Sequence, residues 1–156
     1  MQLIGFYHDD QLCSFISLFG VHATCLSSQL KAHDGDNKGY AAAISEHYLL
    51  TQNIPNPVAI FAQATAGDVS PHFHGPKQDA IHNKIKGERE YQYAEQNGRY
   101  QSEIAIKALT TPIEKNTNIV MEACLLQGGI DAVLSYVDLS QVDVPSEFSQ
   151  GIQGAK

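Results

Sequence analysis

Pro57-Val58-Ala59-Ile60-Phe61-Ala62-Gln63-Ala64-Thr65-Ala66-Gly67-Asp68-Val69-Ser70-Pro71-His72 is the stretch on which the reading of this chain turns. Its first half is a short apolar run with β-branched and aromatic residues, bounded by Pro57 and Gly67, and predicts a buried strand over Val58 to Ala62. Its second half is a polar turn. Gly67 can take backbone angles closed to other residues, and Pro71 fixes φ and removes a donor. Serine before proline is pushed toward extended geometry, so the Ser70 hydroxyl is held in a defined direction. The strand therefore delivers Asp68 and Ser70 to one edge of a sheet, where active-site loops sit. An ordinary Asp/Ser turn would read the same way.

Working outward, Leu3 to Tyr7 and Leu12 to His22 are apolar runs around a polar turn, which predicts a β-hairpin. Phe15, Leu18 and Phe19 do not alternate cleanly, so the second run is expected to be buried on both faces. His22 falls where that strand ends. A helix over Ala41 to Leu49 follows, with Asp36 or Asn37 as its N-cap, and Asn53 to Pro57 stops it. Strand, loop, helix and strand in that order predict an α/β fold of mixed β-sheet layers flanked by helices. If the two strands are parallel neighbours, the crossover is right-handed.

Beyond the central turn, Lys77 to Lys86 reads as a surface excursion. Glu88 to Leu109 reads as a helix with a break near Asn97-Gly98, ended by Thr110-Thr111-Pro112. Asn118 to Leu126 and Ile130 to Leu139, separated by Gln127-Gly128-Gly129, give a second hairpin signal, with a helix as the alternative for the first run. The domain reading is residues 1–140 as an incomplete part of a larger domain and 141–156 as a polar, poorly ordered tail. A chain that opens mid-strand and ends in such a tail reads as a fragment.

At 156 residues the chain has the size of one domain, and 43% hydrophobic residues are too many for a disordered chain. No apolar run approaches the roughly 20 residues of a spanning helix. A formal net charge of −7 without a Lys/Arg cluster excludes ordinary nucleic-acid binding. Cys13, Cys25 and Cys124 form no Cys-x-x-Cys pair, so they predict reduced, buried thiols and no zinc knuckle. Met1-Gln2-Leu3-Ile4 has neither basic region nor cleavage site and is no signal peptide. The chain is therefore expected to be intracellular or to have its true N-terminus upstream.

Among seven histidines, His72 and His74 sit two apart in a loop and could share a metal, though solvent-exposed loop histidines fit as well. His22 is the stronger candidate; its bland alternative is a hydrogen-bonded histidine at the core edge. Ser70 lies in no Gly-x-Ser-x-Gly elbow, and a serine needs a base or metal to attack near neutral pH. Asp34, Asp36 and Asn37 resemble part of a calcium loop, but the bidentate Glu is missing, and a helix cap is the expectation. No Gly-rich phosphate loop is present.

These residues resemble a family. Gly67-Asp68-Val69-Ser70-Pro71 after its strand, Phe19-Gly20-Val21-His22-Ala23-Thr24, Gly35-Asp36-Asn37-Lys38-Gly39-Tyr40-Ala41 and Ser135-Tyr136-Val137-Asp138-Leu139 are similar, in that order, to markers of the neutral (non-lysosomal) ceramidases, bacterial members especially. The likeness runs from Leu3 to Glu147. It implies a zinc-dependent hydrolase that cleaves the amide of ceramide to sphingosine and a fatty acid. The residue matching Ser70 is then the catalytic nucleophile and that matching His22 a Zn2+ ligand. An apolar slot beside the zinc is expected for a lipid substrate. The resemblance further implies a secreted or cell-surface full-length protein, with peripheral membrane contact left open.

The departures are specific. The family's other zinc ligands, an earlier histidine and a later glutamate and tyrosine, are expected upstream of Met1 and beyond Lys156. Glu147 comes too soon after the strand Ser135–Leu139 to be that glutamate. His72 stands where the family has asparagine. With one ligand of four, the isolated chain is expected to be inactive. A non-catalytic remnant or binding domain with the same fold but no complete zinc site, and a hydrolase of some other amide, remain as alternatives.

Overall fold

The computed structural model describes residues 1–72 and 84–111. All of them lie in one unit, Met1–Met121. The second hairpin signal, the 141–156 tail, His74 and Cys124 lie outside the described residues.

Strand β1 (Gln2–His8) and strand β2 (Gln11–Phe19) form the expected hairpin, antiparallel, with a register shift at Phe6/Tyr7. Asp9 and Asp10 both take positive φ, 48° and 60°. Two such residues in a two-residue loop make a type I′ turn, whose twist matches that of the strands it joins. Helix α1 (Asp36–Thr51) then crosses to strand β3 (Val58–Gln63), which pairs parallel to β2. The sheet order is β1-β2-β3. The α/β expectation is met.

α1 ends in a Schellman motif. Asn53, with φ 62°, donates to Leu50 O at 3.0 Å, and Ile54 N donates to Leu49 O at 3.2 Å. The accompanying apolar contact is present, since Leu49 and Ile54 share the core cluster with Phe15 and Phe61. At the other end the expected cap is corrected. Gly35 occupies the cap position without a side-chain bond, and Asp36 and Asn37 lie inside the helix. The Asp36 carboxylate instead takes the N–H of Leu26 (2.9 Å) and of Asn37 (2.6 Å), so it fastens the loop after β2 to the helix start.

The sheet is not buried on both faces as β2 suggested. Phe15 and Ser17, beside Ala59 and Phe61, face α1 and are buried, with the Phe15 and Phe61 rings edge to face at 5.6 Å. On the opposite face Ile4, Phe6, Val58 and Ile60 are exposed. An apolar residue on either face spoils the alternation by which a one-sided strand is recognised.

Helix α2 (Glu88–Thr110) is continuous through Asn97-Gly98, against the expected break. Gly98 is where α2 crosses α1. A Cβ there would stand 2.7 Å from Asn37 O and from Tyr40 Cβ and 2.8 Å from Ala41 N. The crossing is lined by small residues, with Ala41, Ser45, Ala94, Ser102 and Ala105 all buried and Ser45 Oγ 2.8 Å from Ser102 Oγ. Small side chains of this kind let two helix backbones approach closely. The start of α2 is tied down by buried Glu90, whose carboxylate accepts from Ser27 N (2.6 Å) and Gly87 N (3.0 Å). Burial alone would raise its pKa, but these bonds outweigh it and hold the carboxyl below its ordinary value.

Cys25 sits in a second cluster with Tyr93 and Ala94, and its thiol and that of Cys13 are free. Burial, with the Asp36 charge adding to it and a hydrogen bond from Asn37 opposing it, pushes the Cys25 thiol up to about 12. The thiolate is the reactive form. At pH 8, Cys25 is therefore expected to resist alkylation in the native protein while half-buried Cys13 is modified first, as read by mass spectrometry of labelled peptides. Equal rates would contradict the buried placement. The same shift stabilises the fold below the ordinary thiol value of 9.0, and that contribution is lost as pH rises toward about 12, because the unfolded thiol ionises first.

Candidate functional site

Because β2 and β3 are parallel neighbours, their C-terminal ends open at the same sheet edge. From β2 the chain continues Gly20-Val21-His22, and from β3 it continues to the turn at Gly67 and then Ser70. The two exits run against each other, since a Cβ on Gly20 would lie 2.2 Å from Thr65 O. Only glycine permits that approach.

His22 grips the opposite turn twice. Its backbone N–H donates to Val69 O at 3.1 Å, and its ring Nε2 donates to Gly67 O at 2.9 Å. Gly67 has φ 54°, and Val69 N closes the turn on Ala66 O at 2.8 Å. Ser70 follows directly. The structure thus brings both sequence candidates to one turn, and both are exposed. A carbonyl can only accept, so Nε2 carries the proton and a neutral His22 ring keeps its lone pair on Nδ1.

Ser70 is held from its C-terminal side. Its Oγ accepts from His72 N at 3.3 Å. Pro71 is fully buried, and its carbonyl accepts from Asn97 Nδ2 (2.8 Å) and from Tyr93 OH (3.2 Å). The His72 ring is half-buried and stacks on Tyr93 at 5.9 Å. His72 therefore packs on helix α2 and is no free loop histidine. Asp68 is exposed, and the carboxylates of Asp34 and Asp36 accept from backbone amides without capping the helix.

The sequence reading missed what lies underneath. Lys38 Nζ, over the Phe19 ring, donates to Phe19 O (2.8 Å) and to Gln101 Oε1 (3.2 Å). Burial lowers its pKa to about 8. Gln101 Nε2 donates to Asn37 Oδ1 (3.1 Å) and Asn97 Oδ1 (3.0 Å). Asn37 Nδ2 then donates to His22 O at 3.0 Å. Asn37, Asn97 and Gln101 are buried. The available signal was the polar pair Asn97 and Gln101, one helical turn apart on the face that carries Ala94, Gly98 and Ser102.

Among the described residues no group of three or more His, Cys, Asp or Glu is clustered for a metal. Two shallow concavities among the described residues, of 260 and 290 Å³, are lined by residues around Ala23–Asp36 and around Tyr7, Gln11 and Leu109. Neither of these two includes His22 or Ser70.

Comparison with known proteins gives a consistent picture. The sequence profile described as neutral/alkaline non-lysosomal ceramidase, N-terminal, matches residues 1–156. The neutral ceramidase of Mycobacterium tuberculosis is 33% identical over 142 residues, which cover 86% of this chain and 19% of that protein. The neutral ceramidase of Pseudomonas aeruginosa is 30% identical over 142 residues, covering 90% of this chain and 18% of that protein. A crystal structure of neutral ceramidase from Pseudomonas aeruginosa superposes with a TM-score of 0.51 at 28% identity, over 67% of this chain and 16% of that one. The chain therefore spans under a fifth of the length of these relatives.

Proposed function

This chain belongs to the neutral/alkaline non-lysosomal ceramidase family, and we propose that the protein it builds is a zinc-dependent amidohydrolase that cleaves the N-acyl bond of ceramide to sphingosine and a fatty acid. Ser70 is the nucleophile and His22 one zinc ligand. The observation that carries this reading is the double hydrogen bond from His22 to the turn that presents Ser70.

The donor chemistry at His22 suits a metal. A ligating histidine is usually oriented by a hydrogen bond from its other ring nitrogen, commonly to a backbone carbonyl, and Gly67 O supplies one. Zinc takes three or four protein ligands, so the rest come from beyond the described residues. When bound, the ion polarises an amide carbonyl and eases loss of a nearby hydroxyl proton. The chain's own contribution is positional. Buried Pro71 fixes φ beside Ser70, the His72 N–H directs the Oγ, and His22 sets the distance between the two strand exits. Attack forms the Oγ–acyl bond and breaks the C–N bond, the amine leaving with a proton, and water then releases the fatty acid.

The whole protein is proposed to work on a lipid substrate at or outside the cell surface. No helix among the described residues is long and apolar enough to cross a membrane. The test is to purify the whole protein, measure bound zinc and incubate it with ceramide. Sphingosine and fatty acid in equal amounts, with about one zinc per chain, are expected. Zinc-loaded protein that leaves ceramide intact, or that cleaves only other N-acyl amides, would overturn the assignment, and zinc-free protein that leaves ceramide intact would overturn it in favour of a non-catalytic remnant or binding domain.

A further inference from the structure

Three buried amides connect the two halves of the candidate site. Their orientation admits no choice. The Lys38 ammonium can only donate, so Gln101 turns Oε1 toward it and Nε2 away. That Nε2 has two protons, and they go to the Oδ1 atoms of Asn37 and Asn97. Each asparagine must then point its Nδ2 outward. Asn37 meets His22 O at 3.0 Å, and Asn97 meets Pro71 O at 2.8 Å. The two outer carbonyls belong to residue 22 itself and to the residue that follows Ser70.

We infer that the Gln101–Asn37–Asn97 amide relay is the positioning element of the site, a fork whose two prongs hold the backbones of His22 and of Ser70-Pro71 in register with each other. The inference rests on the proposed roles of His22 and Ser70. It goes beyond them because it assigns the register to side chains that touch neither substrate nor metal. The relay is buried, and each amide nitrogen and oxygen in it has at least one hydrogen-bond partner. In such networks the loss of one member strands the others. The relay links α1 to α2 as well as the two strand exits, so it couples the site to the helix crossing. Cooperative behaviour is its signature. Loss of either prong breaks the amide link between the two carbonyls and leaves their spacing to Tyr93 on Pro71 O and to the direct bonds of His22, so removing both adds little to removing one.

The test uses the whole protein and isosteric changes. Asn97→Asp and Gln101→Glu keep size but cannot donate to Pro71 O or to the asparagines. A misplacement of about 1 Å costs on the order of a hundredfold in rate. Each variant is therefore expected to lower kcat by about tenfold to a hundredfold with KM within about twofold, and with bound zinc unchanged. The double change Asn37→Asp plus Asn97→Asp is expected to cost no more than the worse single one. Multiplicative losses, or a fall confined to KM, would overturn the relay. A second readout needs no activity. In the protein carrying ring-labelled histidine, Asn97→Asp should shift the His22 resonances although residue 97 does not touch that ring. A His22 signal that stays put overturns the relay even if ceramide is cleaved. A shift with an inactive wild type keeps the relay and removes the ceramidase reading.

Discussion

Ser70→Ala is expected to lower ceramide turnover by about a thousandfold or more while bound zinc and stability stay near those of the unchanged protein. The selectivity of the effect follows from how the turn is built. Its shape is held by backbone groups and by residues other than Ser70: His22 N on Val69 O, His22 Nε2 on Gly67 O, and Asn97 and Tyr93 on Pro71 O. The Ser70 side chain contributes one bond, from His72 N at a long 3.3 Å. An exposed contact of that kind is worth about 1 kcal/mol or less. Removing Oγ therefore deletes the attacking atom and little else. Turnover, zinc content and thermal unfolding measured on one preparation separate the outcomes. A loss under about tenfold would mean that water attacks and that Ser70 only orients it. A parallel loss of zinc would make Ser70 part of the metal's support instead.

Why were His22 and Ser70 legible in the sequence when their supports were not? Both candidates lie at the ends of apolar runs, so local pattern was enough to single out the two positions, whereas their meeting at one edge depended on a parallel pairing that the sequence left open, and their roles were read from the family resemblance. The first hairpin, β3 and the helix stop at Asn53 to Pro57 were readable because their causes lie within a few residues. Asn97-Gly98 misled because Asn-Gly is a turn signal when nothing else claims the two residues. Here a long-range partner claims each. The Asn97 side chain bonds Pro71 O and Gln101 instead of its own backbone, and Gly98 is the only residue type that fits under Asn37 O and Ala41 N. Asn37 was read as a cap because it stands at a helix start, yet its amide is spent on His22 O and Gln101. In each case tertiary demand overrides local propensity. That demand comes from residues up to 64 positions away, as between Asn37 and Gln101, beyond the reach of any short window.

The helix crossing gives the largest stability effect. Gly98→Leu is expected to loosen α1 and α2 by about 3 kcal/mol, the upper end of what overpacking costs. The first added carbon already meets two backbone atoms of α1, Asn37 O at 2.7 Å and Ala41 N at 2.8 Å. Backbone cannot rotate away as a flexible side chain does, so α1 must shift bodily. Its Ala41 and Leu49 are packed in the core with Phe15, which resists that shift. Gly98→Ala separates the opposing terms. It makes the same first contact but gains about 1 kcal/mol of helix propensity, so its net cost should be much smaller than that of leucine. Native-state hydrogen exchange reads this locally in the whole protein, and about 3 kcal/mol corresponds to roughly a hundredfold faster exchange in peptides covering α1 and α2. Glu103→Ala, at an exposed position of α2, serves as the control and should stay within about 0.5 kcal/mol. Because Asn97 precedes Gly98 and Gln101 lies one turn on, the leucine variant should also release Pro71 O and Asn37 and so disturb the serine turn. Exchange in Gly98→Leu matching that of the control would mean that the helices do not meet at this residue, and the close crossing on which the fork of amides depends would be lost with it.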